Sequence, residues 1–75
     1  MDVAEVLARN IKRRARQKGL AIYALADACG VSRSMLYDIV RGRHAPTTTI
    51  LDRIARGLEC EAWELLRPTS DDPDR

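Results

Sequence analysis

The sequence of 75 residues predicts an all-α fold, a compact five-helix bundle with a central helix-turn-helix. Apolar residues recur every three or four positions along its segments, which is the period of a helix packed on one side. In the stretch 22–41, Ala26, Gly30, Leu36 and Ile39 have the spacing that two short helices crossing at a tight turn require. No segment shows a strand pattern, and no internal repeat is present.

The predicted helices follow from their caps and apolar stripes. The first runs from about Val3 to Gln17, with Asp2 as its N-cap and Gly19 just after its end. Its predicted stripe is Val3, Leu7, Ile11 and Ala15. The other four are predicted at Ile22 to Cys29, Ser32 to Arg41 with Ser32 as its N-cap, Thr48 to Gly57 after a Thr47 cap, and a short helix from Glu61. Their predicted inward residues are Leu25, Ala26 and Cys29, then Met35 or Leu36 with Ile39 and Val40, then Ile50, Leu51, Ile54 and Ala55, and finally Leu58 and Cys60 in the next junction.

Length and composition indicate one domain over residues 1–67 and a polar, disordered tail over 68–75. A domain this small has a limited core, which a second copy could extend. No apolar run is long enough for a membrane span, and the N-terminus reads as helix rather than as a signal peptide, so a cytoplasmic location is expected. Two cysteines, Cys29 and Cys60, are too few for a metal site and suit small buried positions.

The net charge of +2 hides an uneven distribution. Residues 9–43 hold nine Lys or Arg against two acids, a net +7, whereas residues 44–75 hold four Arg against seven acids, a net −3. A basic half that contains the helix-turn-helix is typical of a DNA-binding protein. The alternative for the segment IKRRARQK is an ordinary solvated helix face. No arrangement typical of catalysis, of a metal or cofactor site, or of a small-molecule site is evident, so no enzyme activity is expected.

These segments resemble the phage lambda repressor and Cro-like helix-turn-helix family, also called the XRE family. The resemblance covers roughly 7–66 and rests on NIKRRARQKGL at 10–20, LADACGVSRSMLYDIVRG at 25–42, AP at 45–46 and TTTILDRIARGLECEAWELL at 47–66. It implies a bundle that binds double-stranded operator DNA as a two-fold homodimer and regulates transcription, with repression expected. An antitoxin or restriction–modification controller that answers to a partner protein remains open. So does a protein-interaction module that no longer binds DNA.

By position in the family pattern, the third helix enters the major groove and Arg33, Ser34, Tyr37 and Asp38 face the bases. Arg33 can donate two hydrogen bonds to guanine, and Ser34 specifies weakly. Asp38 either accepts from a cytosine amino group or orients Arg41 or Arg33. Tyr37 contacts a thymine methyl or a phosphate, or simply faces solvent.

Phosphate contacts are expected first from Arg41 and Arg43, which flank the end of the third helix. Arg14, Lys18 and the Tyr23 hydroxyl are further candidates. The C-terminal apolar residues Trp63, Leu65 and Leu66 either close the bundle core or form a dimer interface. His44 stands alone in a loop with no ligand partner.

The sequence departs from the family pattern in four places. The second helix begins with Ala21, Ile22 and Tyr23. Relatives often have a capping hydroxyl and a phosphate-binding Gln there, so neither of these family features is present at the start of this helix. An exposed Ile22–Tyr23 pair would favour the interaction module. Ala15 and Val40 replace an Arg–Glu pair, which removes both charges together and leaves the fold prediction intact. Glu59 stands where relatives often place Gly or Asn in a left-handed turn.

Overall fold

The computed structural model describes residues 2–68, which form five α-helices without any strand. The helices are α1 Val3–Gln17, α2 Ile22–Cys29, α3 Arg33–Val40, α4 Thr48–Gly57 and α5 Ala62–Leu65. The all-α prediction is confirmed. Apart from Pro68, the predicted tail of residues 68–75 lies outside the described residues. None of the described helices has the length and apolar character needed to cross a membrane.

Three helices begin at the caps that the sequence predicts. The side chains of Asp2, Ser32 and Thr47 accept hydrogen bonds from backbone N–H groups two or three residues further on, at 3.2, 2.9 and 3.2 Å. Each bond satisfies one donor that the first helical turn would otherwise leave unpaired. Helix α2 begins after Ala21, which makes no side-chain cap bond. The start of α2 therefore lacks a side-chain cap, as its sequence predicts, and so does the start of α5 after Glu61.

The core is a single apolar cluster to which all five helices contribute. Its fully buried members include Ile11, Leu25, Leu36, Ile39, Ile54 and Leu65. Ala15 and Val40 lie in the same cluster, so the positions that replace the family's ion pair are apolar core. Val3 is 61% exposed, and the α1 stripe therefore starts at Leu7 rather than at Val3. Met35, Ile50, Leu51 and Cys60 are only partly buried and pack around the cluster.

The turn between α2 and α3 depends on two small residues. Gly30 ends α2 with φ +71°, a left-handed conformation that glycine adopts without a steric penalty. The next amide, Val31 N–H, donates to Ala26 C=O at 3.0 Å and closes the helix end. Ala26 itself is fully buried, so its methyl group lies inside the packed motif. This turn fixes where α3 begins relative to α2.

Helix α4 approaches α2 closely at a glycine. A Cβ placed on Gly57 would overlap Cys29 Sγ. Cys29 is buried there, and burial raises the pKa of its thiol. The missing side chain of Gly57 therefore leaves room for the Sγ atom of Cys29 in its present position.

Helix α5 is tied to α1 by a buried polar residue. Asn10 is 1% exposed, and its Nδ2 donates to the carbonyls of Leu65 at 2.8 Å and Arg67 at 2.9 Å. These bonds satisfy carbonyls at the end of α5 that have no partner within the helix. Within residues 2–68, α5 contacts α1 and α4 but not α3. The bundle thus presents α3 and α5 as separate surfaces.

Glu59, in the α4–α5 junction, has φ +58°. The family pattern anticipates this left-handed position, which a glutamate adopts only at some steric cost. Its carboxylate pairs with the Lys18 ammonium, and that hydrogen bond lowers the pKa of Glu59.

Candidate nucleic-acid interface

Helix α3 has one buried side and one side that is open to solvent. Leu36, Ile39 and Val40 are buried. The predicted base-reading residues lie on the other side, where Arg33 and Ser34 are exposed and Tyr37 and Asp38 are partly exposed. Positions 33, 34, 37 and 38 fall on one helix face because 33 and 37, and likewise 34 and 38, are four residues apart. The four side chains can therefore meet a common ligand surface.

Arg33 is held by a carboxylate from the preceding helix. Its Nε donates to Asp27 Oδ1 at 3.1 Å, and its Nη2 donates to Asp27 Oδ2 at 2.7 Å. This two-point geometry is the strongest form of an Arg–carboxylate contact. The hydrogen bond from Arg33 lowers the pKa of Asp27, and the same bond raises the pKa of Arg33. Within residues 2–68 the carboxylate that pairs with Arg33 is that of Asp27, whereas the sequence alternative had Asp38 beside Arg33.

The ring of Tyr23 lies against the same arginine. The Arg33 guanidinium carbon is 5.3 Å from the ring centroid, within the range of a cation–π contact. Tyr23 and Asp27 are four residues apart on α2 and so lie on one face of that helix. Ile22, in contrast, packs partly buried against the core. The unusual start of α2 therefore places an aromatic ring beneath Arg33, and Ile22–Tyr23 is not an exposed apolar pair.

The C-terminal end of α3 shows a similar contact. The Arg41 guanidinium carbon is 5.6 Å from the centroid of the Tyr37 ring, which lies one helical turn earlier. Within residues 2–68, Asp38 forms no ion pair with Arg41 or with another cation. It lines a shallow pocket with Ser34 and His44 instead. The proposed orienting role of Asp38 toward Arg41 is thus absent from the structure.

The predicted phosphate contacts divide into two groups. Arg41 and Arg43 are exposed where α3 ends. Arg14 pairs with Glu64 at 3.1 Å and Lys18 pairs with Glu59, so both side chains are directed to the α5 end of the molecule. The structure brings the first group next to the α3 face and does not bring the second group there.

The motif and its surroundings match a known family over most of the chain. A family model described as "Helix-turn-helix" matches residues 11–62. The chain belongs to this helix-turn-helix family. No cluster of His, Cys, Asp or Glu suited to a metal ion occurs in the part of this helix-turn-helix protein that the structure describes.

Similar proteins include two transcriptional regulators and one solved structure. The HTH-type transcriptional regulator SutR of Escherichia coli is 39% identical over 67 residues, which cover 89% of this chain and 38% of SutR. The HTH-type transcriptional regulator y4dJ of Sinorhizobium fredii is 33% identical over 73 residues, covering 97% of this chain and 95% of y4dJ. The crystal structure of the hypothetical transcription factor NHTF from Neisseria superposes with a TM-score of 0.89 at 28% identity, covering 93% of this chain and 80% of NHTF.

The helix-turn-helix protein also exposes apolar side chains on α5 and just after it. Trp63 is 58% exposed and Leu66 is 40% exposed. Leu65, between them, is fully buried among core residues. The prediction of Leu65 as a dimer contact is therefore wrong for the chain as it is folded here, because the side chain has no surface to offer a second copy.

The pairing of Asp27 with Arg33 was not predicted from the sequence, in which Asp27 is one of the two acids of residues 9–43. Tyr23 and Asp27 are nevertheless spaced for one helix face, and Arg33 opens the next helix. That spacing is a usable signal in a helix-turn-helix protein, since the short turn returns the chain to the same side. Asn10 was also missed, and an isolated asparagine carries no such signal.

Proposed function

We propose that this chain is a sequence-specific, double-stranded-DNA-binding regulator of transcription that acts in the cytoplasm. One observation carries the proposal: Arg33, on the first turn of α3, has a side chain that is 59% exposed and held in place by α2. The N-terminal residues of a recognition helix are those nearest the base edges in a major groove. The relatives named as transcriptional regulators support the same conclusion.

In this proposal α3 lies in the major groove and its exposed face reads the bases. Arg33 binds guanine O6 and N7, and Ser34 adds a weaker polar contact. Asp38 is free of protein cations within residues 2–68 and accepts from a cytosine amino group. Tyr37 lies between the bases and Arg41, where its ring supports that arginine. Arg41 and Arg43 bind phosphates and fix the register of the helix on the duplex.

The proposed active form is a homodimer on a palindromic operator, where it acts as a repressor. Trp63 and Leu66 supply the exposed apolar surface for a second copy. Because α5 does not contact α3, this surface can be covered while both α3 helices stay open to DNA. Two-fold symmetry would place the two α3 helices about 34 Å apart, one turn of the duplex.

The experiment is selection of bound duplexes from a random pool, followed by affinity measurements on the selected site. Arg33→Ala should lower affinity for that site about 5- to 150-fold, the equivalent of one lost bidentate base contact. Arg56→Ala is the matched control, since Arg56 is also an exposed arginine paired with an aspartate, Asp52, but lies on α4. Equal affinities of the Arg33→Ala variant and the parent would refute groove reading by Arg33.

A partner-controlled regulator is the second candidate, and Trp63 and Leu66 favour it in one respect. Their exposed surface would equally receive a different protein, such as a toxin. The two candidates differ in whether the purified chain dimerises by itself. If neither the parent nor any variant associates with random duplex DNA at low salt, both regulator candidates are refuted in favour of a protein-interaction module.

A further inference from the structure

The N–H groups of Arg33 are divided between two directions. A guanidinium has five N–H donors, one on Nε and two on each terminal nitrogen. Asp27 engages Nε and Nη2. Both N–H groups of Nη1 and the second one of Nη2 remain, and one N–H from each of these two nitrogens forms the end-on fork that matches guanine O6 and N7. The Asp27 contact therefore occupies one edge of Arg33 and leaves the base-reading edge available.

We infer that Asp27 positions Arg33 for guanine recognition, with the Tyr23 ring as the platform beneath it, so that a determinant of base specificity lies on α2. The inference rests on the proposed function. It adds a residue that would not itself contact DNA. The carboxylate fixes the guanidinium in its own plane through two bonds, and the ring, 5.3 Å from the guanidinium carbon, limits its movement away from α2.

The physical reason is conformational entropy. An unrestrained arginine has several rotatable bonds, and ordering such a side chain on binding weakens an interface by about 2- to 10-fold. Asp27 and Tyr23 order Arg33 before DNA arrives. That benefit is realised only on a duplex where Arg33 bonds to guanine. Removing Asp27 should therefore reduce discrimination at one base pair rather than reduce affinity for all DNA.

A competing role for Asp27 makes the opposite prediction. An exposed carboxylate beside DNA repels phosphates and could compete with the base for Arg33. In that case Asp27→Asn would keep or increase the preference for guanine. The ratio of affinities for two duplexes that differ at one base separates the roles, since general charge effects cancel in the ratio.

The test uses the selected duplex and the same duplex with 7-deazaguanine at the position that Arg33→Ala makes degenerate. The analogue lacks the N7 acceptor but keeps the base pair. Asp27→Asn should lower the guanine to 7-deazaguanine affinity ratio about 2- to 10-fold, and Asp27→Glu should recover part of it. Asp52→Asn is the matched control, because it removes the carboxylate of the exposed Arg56–Asp52 pair and changes the net charge equally.

The outcomes distinguish this inference from the proposed function. Suppose that Arg33→Ala brings the guanine to 7-deazaguanine affinity ratio to about one, whereas Asp27→Asn leaves this ratio unchanged or raises it. The positioning role of Asp27 is then overturned, and base reading by Arg33 stands. If Arg33→Ala binds the selected duplex as tightly as the parent, both are overturned. Thermal unfolding of each variant verifies that the fold is kept, and preferences at the other selected positions should not change with Asp27→Asn.

Discussion

Asp27 and Arg33 form an ion pair whose side chains are both more than half exposed. Exposed pairs of this kind contribute little to folding, since water already solvates both charges well. The short, two-point geometry is therefore better explained by the position it gives to the guanidinium than by stability of the bundle. Titration of the Asp27 carboxyl group reports on the Asp27–Arg33 contact in solution.

We expect the Asp27 carboxyl group to titrate at lower pH in the parent than in the Arg33→Ala variant. The hydrogen bond from Arg33 favours the ionised carboxylate and lowers its pKa. Because the pKa is lower in the folded chain, the contact is present above the unfolded-state pKa and is lost as the pH falls through the folded-state value. NMR detection of the Asp27 carboxyl carbon against pH measures both midpoints.

Equal Asp27 midpoints in the parent and the variant would mean that the contact is not maintained in solution. Since a carboxylate with a lowered pKa stays ionised above about pH 5, this pair should not make DNA recognition pH-dependent near neutrality.

At the scale of elements, the packing of α4 on α2 depends on the missing side chain of Gly57. We expect Gly57→Ala to destabilise the chain by about 1–3 kcal/mol, because the new methyl group would overlap Cys29 Sγ. In a Cys29→Ala background the overlap is removed, and the nearest remaining side-chain atom is Leu25 Cδ1 at 3.5 Å. There Gly57→Ala should stabilise by up to about 1 kcal/mol, the helix preference for alanine over glycine.

Chemical denaturation of the four chains of this double-mutant cycle measures the effect of Gly57→Ala on the free energy of unfolding in each background, and its sign should change between the two. A Cys29→Ser background is the matched control, since serine keeps a heavy atom close to the Sγ position and Gly57→Ala should remain destabilising there. If Gly57→Ala costs the same in all three backgrounds, Cys29 Sγ rotates away from the new methyl group and the close approach does not govern this helix pair.

The elements that could be predicted from sequence are those whose cause is local. Caps such as Ser32 and the left-handed Gly30 depend on residues within one turn, and the structure has them where they were predicted. Asn10 could not be predicted, because its partners are the carbonyls of residues 65 and 67, more than fifty positions away. The Asp27–Arg33 contact lies between these cases, since it spans six residues but depends on how the turn directs two helices.

The site was predictable to the same extent. Arg33, Ser34, Tyr37 and Asp38 were assigned to one helix face by their positions in the family pattern, and all four are exposed or partly exposed on α3. The partners of the charged residues were not predictable, because Arg14 and Lys18 are engaged by acids of the C-terminal half through tertiary packing. Fixing these pairs from sequence would require the position of α5 relative to α1.

The Arg14–Glu64 and Lys18–Glu59 ion pairs change where the net positive charge of the folded chain lies. Part of the positive charge of residues 9–43 is offset by Glu59 and Glu64 at the α5 end, whereas Arg41 and Arg43 lie exposed beside α3. Counted against Asp27 and Asp38, the exposed arginines Arg33, Arg41 and Arg43 leave the α3 side with a net charge of +1. The α5 side combines paired charges with exposed apolar surface, which suits contact with protein more than contact with phosphate.

The proposed dimer can be followed with the single tryptophan of the chain. Trp63 is 58% exposed in one copy, and covering it with a second copy should shift its fluorescence emission to shorter wavelength. On dilution the emission should move to longer wavelength over the same concentration range in which sedimentation shows the mass falling from dimer to monomer. The described residues measure 30 × 24 × 20 Å, so two copies joined away from α3 can place their α3 helices about one duplex turn apart.

Leu66→Ser tests this surface while keeping the fluorescent probe. Loss of an apolar contact at the centre of an interface should weaken dimerisation about tenfold or more, and the selected DNA sites should then lose their palindromic symmetry. Val3→Ser is the control, because Val3 is another exposed apolar residue and lies at the start of α1. If both variants dimerise as the parent does, or if the mass changes without any shift in the Trp63 emission, the interface lies elsewhere and α5 is left for a different partner.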